Sequence, residues 1–466
     1  MTIPLETSVR EQPISRPGPP DSRPTDRGSV REVAVLAYPV VLTQLSMTTM
    51  GVVDSAMVGR LGSTELAAVG FGGIWMWTIF CGFIGTSTGL QTFISQAHGA
   101  DEPERCGAWA WQGAWSLVPL TLLCAVVFSL NVDTLLAWLA PSAELQPLAQ
   151  TYMSIRAFGT VGMVMATIFA AFFRGIGDTR TPLYVTLLAN GLNAVLDYGL
   201  IFGKLGLPQW GVAGAATATA IAEWVYALVI LGLFSRRALR QRYRTAPTRF
   251  SLRDQRRLIR LGLPIGGQWL LEMLSFAVFL TLVAHMGDTS LAASQAFIAL
   301  LSLSFMQASG LGIALSTLVG RYIGANDTAS AERSFRSARV LTLALSGIVA
   351  VLFVAIPEQL MRIFSDDPEV LALGGPLLLV GAVFQFFDAF GIMADGALRG
   401  AGDTRVPFLV RFLLAWGLFV PLAWWLGVYL EGGLTAAWLG GSVYVLVLST
   451  YLVWRFQSGA WRHIRI

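Results

Sequence analysis

Apolar runs long enough to cross a lipid bilayer recur twelve times between Val33 and Phe456, separated by short polar breaks. A spanning helix needs about 20 mostly apolar residues, because every backbone polar group inside lipid must be satisfied within its own segment. The runs predict helices near 34–58, 66–93, 106–130, 147–173, 181–203, 211–234, 262–286, 290–318, 337–356, 370–398, 406–430 and 433–456. With 55% hydrophobic and 13% charged residues and a mean hydropathy of +0.62, the 466-residue chain has lipid, not water, as its natural solvent. The expected class is all-α and integral to the membrane.

The basic residues fix an expected orientation. Arg105, Arg174, Arg180, ten arginines from Arg236 to Arg260, Arg321, Arg333, Arg336, Arg399 and Arg405 fall in alternate loops, whereas the opposite loops hold Arg60, Lys204 and Arg362. Cytoplasmic loops carry the excess of Lys and Arg, so both termini are expected in the cytoplasm of a cell (inner) membrane. One missed or invented helix would invert every later loop, so the asymmetry also tests the count of twelve. The arginine cluster is read as a topology signal in contact with membrane lipids, not as a nucleic-acid site. Residues 1–30, rich in proline and arginine and without a long apolar run, are expected to form a disordered cytoplasmic tail, not a cleaved signal peptide.

The second half repeats the first at a constant shift of 225 residues. Pro39 meets Pro264, Gly62 meets Gly287, Leu66-Ala67-Ala68 meets Leu291-Ala292-Ala293, and Gly99-Ala100 meets Gly324-Ala325. The segment from Arg174 to Pro182 (Arg-Gly-Ile-Gly-Asp-Thr-Arg-Thr-Pro) meets that from Arg399 to Pro407 (Arg-Gly-Ala-Gly-Asp-Thr-Arg-Val-Pro). Six helices separate equivalent points, and an even number preserves direction through the membrane. The halves are therefore expected to be parallel repeats about an axis along the membrane normal, with a central cleft between them. The expected divisions are a tail at 1–30, a six-helix bundle at 31–235, a basic linker at 236–261, a second bundle at 262–456 and a C-terminal tail at 457–466.

Enzyme chemistry finds little support. A Walker loop needs Gly-Lys-Ser/Thr, and the sole lysine, Lys204, is followed by Leu205. His98, His285 and His463 are far apart and lie in no His-Glu-x-x-His pattern. Cys81, Cys106 and Cys124 show neither zinc nor disulfide spacing. No cofactor is expected, and a monomer is.

Acids inside apolar runs are the stronger signal, because a charge at the bilayer centre costs about 3 kcal/mol or more and usually faces a cavity. Asp54, Asp197, Glu223, Glu272 and Asp388 qualify. At about 1.5 Å rise per residue, Asp54 and Asp197 reach the same level near the outer ends of helices 1 and 5. Asn193 and Asn190 extend Asp197 into a polar stripe. Glu272 and Asp388 share a second level nearer the cytoplasmic end. At the shift of 225 these acids meet Phe279, Leu422, Met47 and Met163, so the repeat built the scaffold without duplicating the acids. Glu223, among small residues, is read chiefly as a hydrogen-bonding group. Asp395 is expected to pair with Arg399 one turn on, and Asp178 and Asp403 to brace their loops. Trp75, Trp77, Trp109, Trp111 and Trp115 fit an interfacial belt.

Pro39-Val-Val-Leu-Thr-Gln through Val53-Asp54, then Val58-Gly59-Arg60-Leu61-Gly62 and Leu66-Ala67-Ala68-Val69-Gly70, resembles the opening of the multidrug and toxic compound extrusion (MATE) transporters. The paired Arg-Gly-x-Gly-Asp-Thr-Arg segments are similar to that family's cytoplasmic loops, and the resemblance runs from about residue 33 to residue 456. It implies two six-helix bundles and export of small amphiphilic or cationic organic molecules by antiport against protons or sodium ions. Asp54 resembles the family's helix 1 aspartate, Asn193 and Asp197 the helix 5 pair of its DinF-like branch, and Glu272 and Asp388 the acids of NorM-like members. Either a proton or a sodium ion at Asp54, Asn193 and Asp197 would serve as coupling ion. A lipid-linked precursor flippase of related fold is the alternative, a membrane-embedded enzyme and a passive channel being more distant ones.

Overall fold

The structure is a computed structural model that describes residues 26–139, 142–364 and 367–464. Among the described residues, twelve helices are long and apolar enough to cross a membrane. Helices 1 to 6 span Val30–Val58, Ser63–Gly99, Pro103–Leu139, Leu145–Gly175, Arg180–Phe202 and Val212–Phe234. Helices 7 to 12 span Leu252–Ala284, Thr289–Gly324, Thr328–Ala355, Pro368–Gly400, Arg405–Tyr429 and Gly433–Gln457. Several starts are written in local chemistry. Ser29 accepts from the Glu32 N–H, Ser251 from Asp254 N–H and Asp327 from Ser330 N–H, each meeting a donor that the first turn leaves free. Odd-numbered helices run away from the face that carries Val30 and Gln457, here the terminal face, and even-numbered helices return to it.

The two halves meet along a seam in the terminal half of the molecule, and the repeat is visible in its contacts. Thr92 Oγ1 donates to the Arg399 carbonyl at 3.0 Å, and Thr317 Oγ1, its counterpart at the shift of 225, donates to the Arg174 carbonyl at 3.2 Å. A Cβ added to Gly85 would stand 2.8 Å from Gly266 Cα, and one added to Gly310, the counterpart of Gly85, would stand 2.8 Å from Val41 Cα. Gly99 faces the Arg321 carbonyl as closely as Gly324 faces that of Gln96. At these crossings backbone touches backbone, which only glycine permits and which suits helix association in lipid. Trp77 and Trp269 meet further out, their rings tilted by 30° with centroids 5.9 Å apart. Beyond them no hydrogen bond or ion pair joins the halves among the described residues, and Gly51, Val52, Ser55 and Ala56 of helix 1 are exposed. The polar contacts that join the halves therefore lie in the terminal half of the molecule.

The first helix of each half crosses to the other half. Val33 and Ala37 belong to a core cluster with Leu311, Leu315 and Met393, whereas Leu258, Leu261 and Ile265 of helix 7 belong to the cluster of the first half. Residues 26–30, expected in the tail, are folded: Gly28 N–H donates to Glu32 and to the Tyr322 hydroxyl, and Ser337 Oγ donates to the Gly28 carbonyl. Residues 1–25 lie outside the described residues.

The basic linker is equally structured. Arg237–Tyr243 is a short helix, helix 7 starts ten residues before its apolar run, and Trp111, Gln112 and Trp115 donate to the carbonyls of Thr245, Arg249 and Thr248. Trp111 and Trp115, read from sequence as belt residues, thus fasten the linker to helix 3. At the C-terminus, Ala460–His463 forms a turn of 3-10 helix with Trp461 buried against Phe456.

Candidate functional site

Helices 1 and 5 bring Asp54 and Asp197 together as their shared level implies. The two carboxyl groups lie within hydrogen-bonding reach of one another, and each keeps one buried oxygen, Oδ1, without a partner. Asp197 is fully buried, and Asn193, one turn earlier on the same face, donates its amide to Asp197 Oδ2 at 2.7 Å. Asn190 sits on the same helix interface but turns away from the acids and donates to Ser46 Oγ at 2.8 Å. It ties helix 5 to helix 1, leaving the carboxyl pair to Asp54, Asn193 and Asp197.

Glu223 has a partner that sequence reading did not assign. Arg156 of helix 4 binds it with both terminal nitrogens, at 2.6 and 2.9 Å, in the fork geometry that makes Arg–carboxylate pairs strong. Both side chains are about 15% exposed. The pair lies against Gly159, where an added Cβ would fall 2.6 Å from the carboxylate and 2.8 Å from the guanidinium, so glycine makes its room. Arg156 and Tyr152 stand close enough to Asp54 to feel its charge. Leu145 and Val212 start helices 4 and 6 in the same direction, and Arg156 and Glu223 each lie eleven residues on. That equality of depth is the signal that would have predicted the pair.

In the second half, Glu272 and Asp388 share a neighbourhood with Arg411, which pairs with Glu272. Arg411 Nη1 donates to Glu272 Oε2 at 3.3 Å, its Nε is buried without a partner, and Asp388 and Tyr444 are near enough to interact electrostatically. This acidic pair thus carries its own counter-cation. Nearer the terminal face, Asp395 pairs with Arg399 at 2.6 Å, Asp178 accepts from the N–H and hydroxyl of Thr181, and Asp403 accepts from Arg455 at 2.7 Å, the bracing roles expected of them.

The sequence pattern of one transporter family, MatE, matches residues 39–199 and 264–425, one copy in each half. The chain belongs to the MatE family. It is a multi-pass membrane transporter and not an enzyme. Among its relatives, a probable multidrug resistance protein NorM of Thermotoga maritima is 30% identical over 92% of this chain and 93% of its own length. The multidrug resistance protein NorM of Burkholderia vietnamiensis is 31% identical over 91% and 93%. Of solved structures, a Vibrio cholerae MATE transporter superposes with a TM-score of 0.83 at 20% identity, covering 92% of this chain and 96% of that one. A MOP superfamily transporter from Pyrococcus furiosus gives 0.82 at 21% identity, covering 94% and 98%. These likenesses carry the fold: twelve helices in two repeated halves around a cleft. The pattern of the lipid II flippase MurJ also matches, over residues 146–308.

Proposed function

We propose that this MatE-family chain is a secondary multidrug efflux antiporter of the cytoplasmic (inner) membrane that expels amphiphilic or cationic organic molecules in exchange for protons. The contact between the Asp54 and Asp197 carboxyl groups is the observation that carries the reading. Two ionised carboxylates at that separation repel, and a proton shared between them removes the repulsion and a buried charge together. A bound organic cation relieves the same repulsion, so proton and substrate compete for one pair of acids, which is the requirement for exchange. Asn193 holds Asp197 in position, and the Asn190–Ser46 bond lets helices 1 and 5 respond as a unit.

The coupling cycle follows. With the cleft taken as open away from the terminal face, itself taken as cytoplasmic from its arginines, protons enter from outside and bind between Asp54 and Asp197. Helix 1 then closes on helix 5 and substrate leaves. When the halves rock to open the cytoplasmic side, substrate displaces the proton inward. In this reading the chain works as a monomer, its two six-helix halves moving about the linker, and needs no cofactor. Relatives carrying the name multidrug resistance protein support the substrate class.

Sodium is the weaker choice of coupling ion because Glu272 is already paired with Arg411, which a sodium ion would have to displace. In the first half, Asn193 presents its amide N–H to Asp197, leaving the two Oδ1 atoms as the free oxygens, whereas hard cations are held by larger oxygen sets. The match to the flippase pattern raises lipid-pyrophosphate transport as a second reading. It requires free cations in the cleft, and Arg156 and Arg411 are instead paired with Glu223 and Glu272.

Efflux of a cationic dye from proteoliposomes under separately imposed proton and sodium gradients tests the proposal. Dye should move under the proton gradient alone. Movement under sodium alone, or none with dye but transfer of a lipid pyrophosphate, would replace it.

A further inference from the structure

The symmetry of the seam fails at Gln96 and its equivalent in the second half. Gln96 donates to the Gly400 carbonyl at 3.0 Å. Its counterpart at the shift of 225 is Arg321, yet the Arg321 side chain makes no hydrogen bond or ion pair among the described residues, although the residue is only 7% exposed and its Nε is fully buried. One guanidinium nitrogen lies beside Gly177, at 4.0 Å from where a Cβ would stand, in a turn that the positive φ of 90° reserves for glycine. A buried, unpaired guanidinium is costly, and natural structures keep one where something is to be bound.

The space Arg321 faces is a cavity of about 790 Å³ on the terminal face, walled by both halves. Arg31 and Arg242 also line it, both exposed. Three acids line it as well, and none pairs with these arginines. Glu32 accepts from the Gly28 N–H and the Tyr322 hydroxyl, and Asp178 accepts from both donors of Thr181. Asp26, the third, stands where the chain turns into helix 1. His98 and Tyr243 complete the wall and have partners of their own.

We propose that this cavity is a binding site for a phosphate-bearing anion, with Arg321 at its floor and Arg31 and Arg242 at its mouth. The planar fork of arginine matches phosphate oxygens, and an anion supplies the charged acceptor that no carboxylate of the cavity gives Arg321. The bound phosphate would join helix 8 of the second half to the 176–178 turn and the linker helix of the first. It therefore holds the seam shut. Phosphate chemistry is offered by the headgroups of the adjoining leaflet and by soluble phosphate, and the site takes whichever is present.

The test compares the full chain with R321Q, a change that installs the side chain the other half uses at the same place and so preserves folding. Each protein is placed in nanodiscs of phosphatidylcholine, and binding of radiolabelled inorganic phosphate and the melting temperature are followed at constant ionic strength. The wild-type protein should bind phosphate saturably and melt later with it, and R321Q should bind about ten-fold or more weakly, the loss of a charge-assisted contact. In discs containing phosphatidylglycerol, a wild-type protein already stabilised and unresponsive to phosphate identifies the lipid as the source, whereas an undiminished response identifies the soluble ion. Equal binding by both proteins, or no response of the wild type to either, overturns the proposal.

Discussion

Replacing Thr92 and Thr317 with valine isolates the hydrogen bonds that close the terminal face. Valine keeps the branched shape and removes the donor, so the two equivalent bonds to the Arg399 and Arg174 carbonyls are lost with little change in packing. A hydrogen bond between helices in lipid is worth about 0.6 kcal/mol and at most about 1.7, so the pair contributes about 1 to 3 kcal/mol to the closed seam. At about 1.4 kcal/mol per factor of ten, the closed-to-open ratio should fall by about five- to 140-fold. The two single changes should be unequal. Thr317 also accepts from Gln91 Nε2 at 2.8 Å, so T317V should open the seam more than T92V, although the threonines are related by the repeat. Spin labels on the exposed equivalents Ala100 and Ala325, with Cys81, Cys106 and Cys124 replaced by alanine, would report the distance across the seam by pulsed electron resonance. A distance distribution in the double variant that stays superimposable on that of the parent would refute the assignment of these bonds as the closure.

Three further outcomes follow from the charges in the membrane. E223A should strand Arg156 without its partner and lower stability by about 3 to 5 kcal/mol, while the combined R156M/E223L should recover most of it; melting in nanodiscs distinguishes these from a pair of no consequence, for which both would melt like the parent. R411A should uncover Glu272 and Asp388 and make the protein melt later in sodium than in choline chloride, a difference the parent should not show. D54N should reach the membrane at the parental level yet export no cationic dye from cells, and export at the parental rate would remove Asp54 from the mechanism.

Much of the fold could be read from the chain because lipid imposes a length on apolar runs, and the repeat offset paired the residues that take equivalent places in the two halves. Helix ends were less legible. Leu252–Leu261 is helical but carries Arg253, Asp254, Arg256, Arg257 and Arg260, so hydropathy starts helix 7 late although Leu258 and Leu261 reach the core. Depth along a helix placed Asp54 with Asp197 because both count from nearby ends. It did not reveal the pairing of Arg411 with Glu272, since sequence gives the level of a side chain and leaves open the direction in which its helix turns it. The role of Trp111 and Trp115 was hidden for a related reason: an indole at an interface looks the same in sequence whether its N–H meets headgroups or a folded linker.

The central claim is that Asp54 and Asp197 exchange a proton for substrate, and the proton itself can be counted. A lipophilic cation added to the purified protein in weakly buffered detergent solution, with a pH indicator present, should release protons from the parent in a saturable manner and none from the D54N/D197N variant at the same degree of binding. Release from that variant equal to the parent's, or cation binding by the parent without any release, would contradict it.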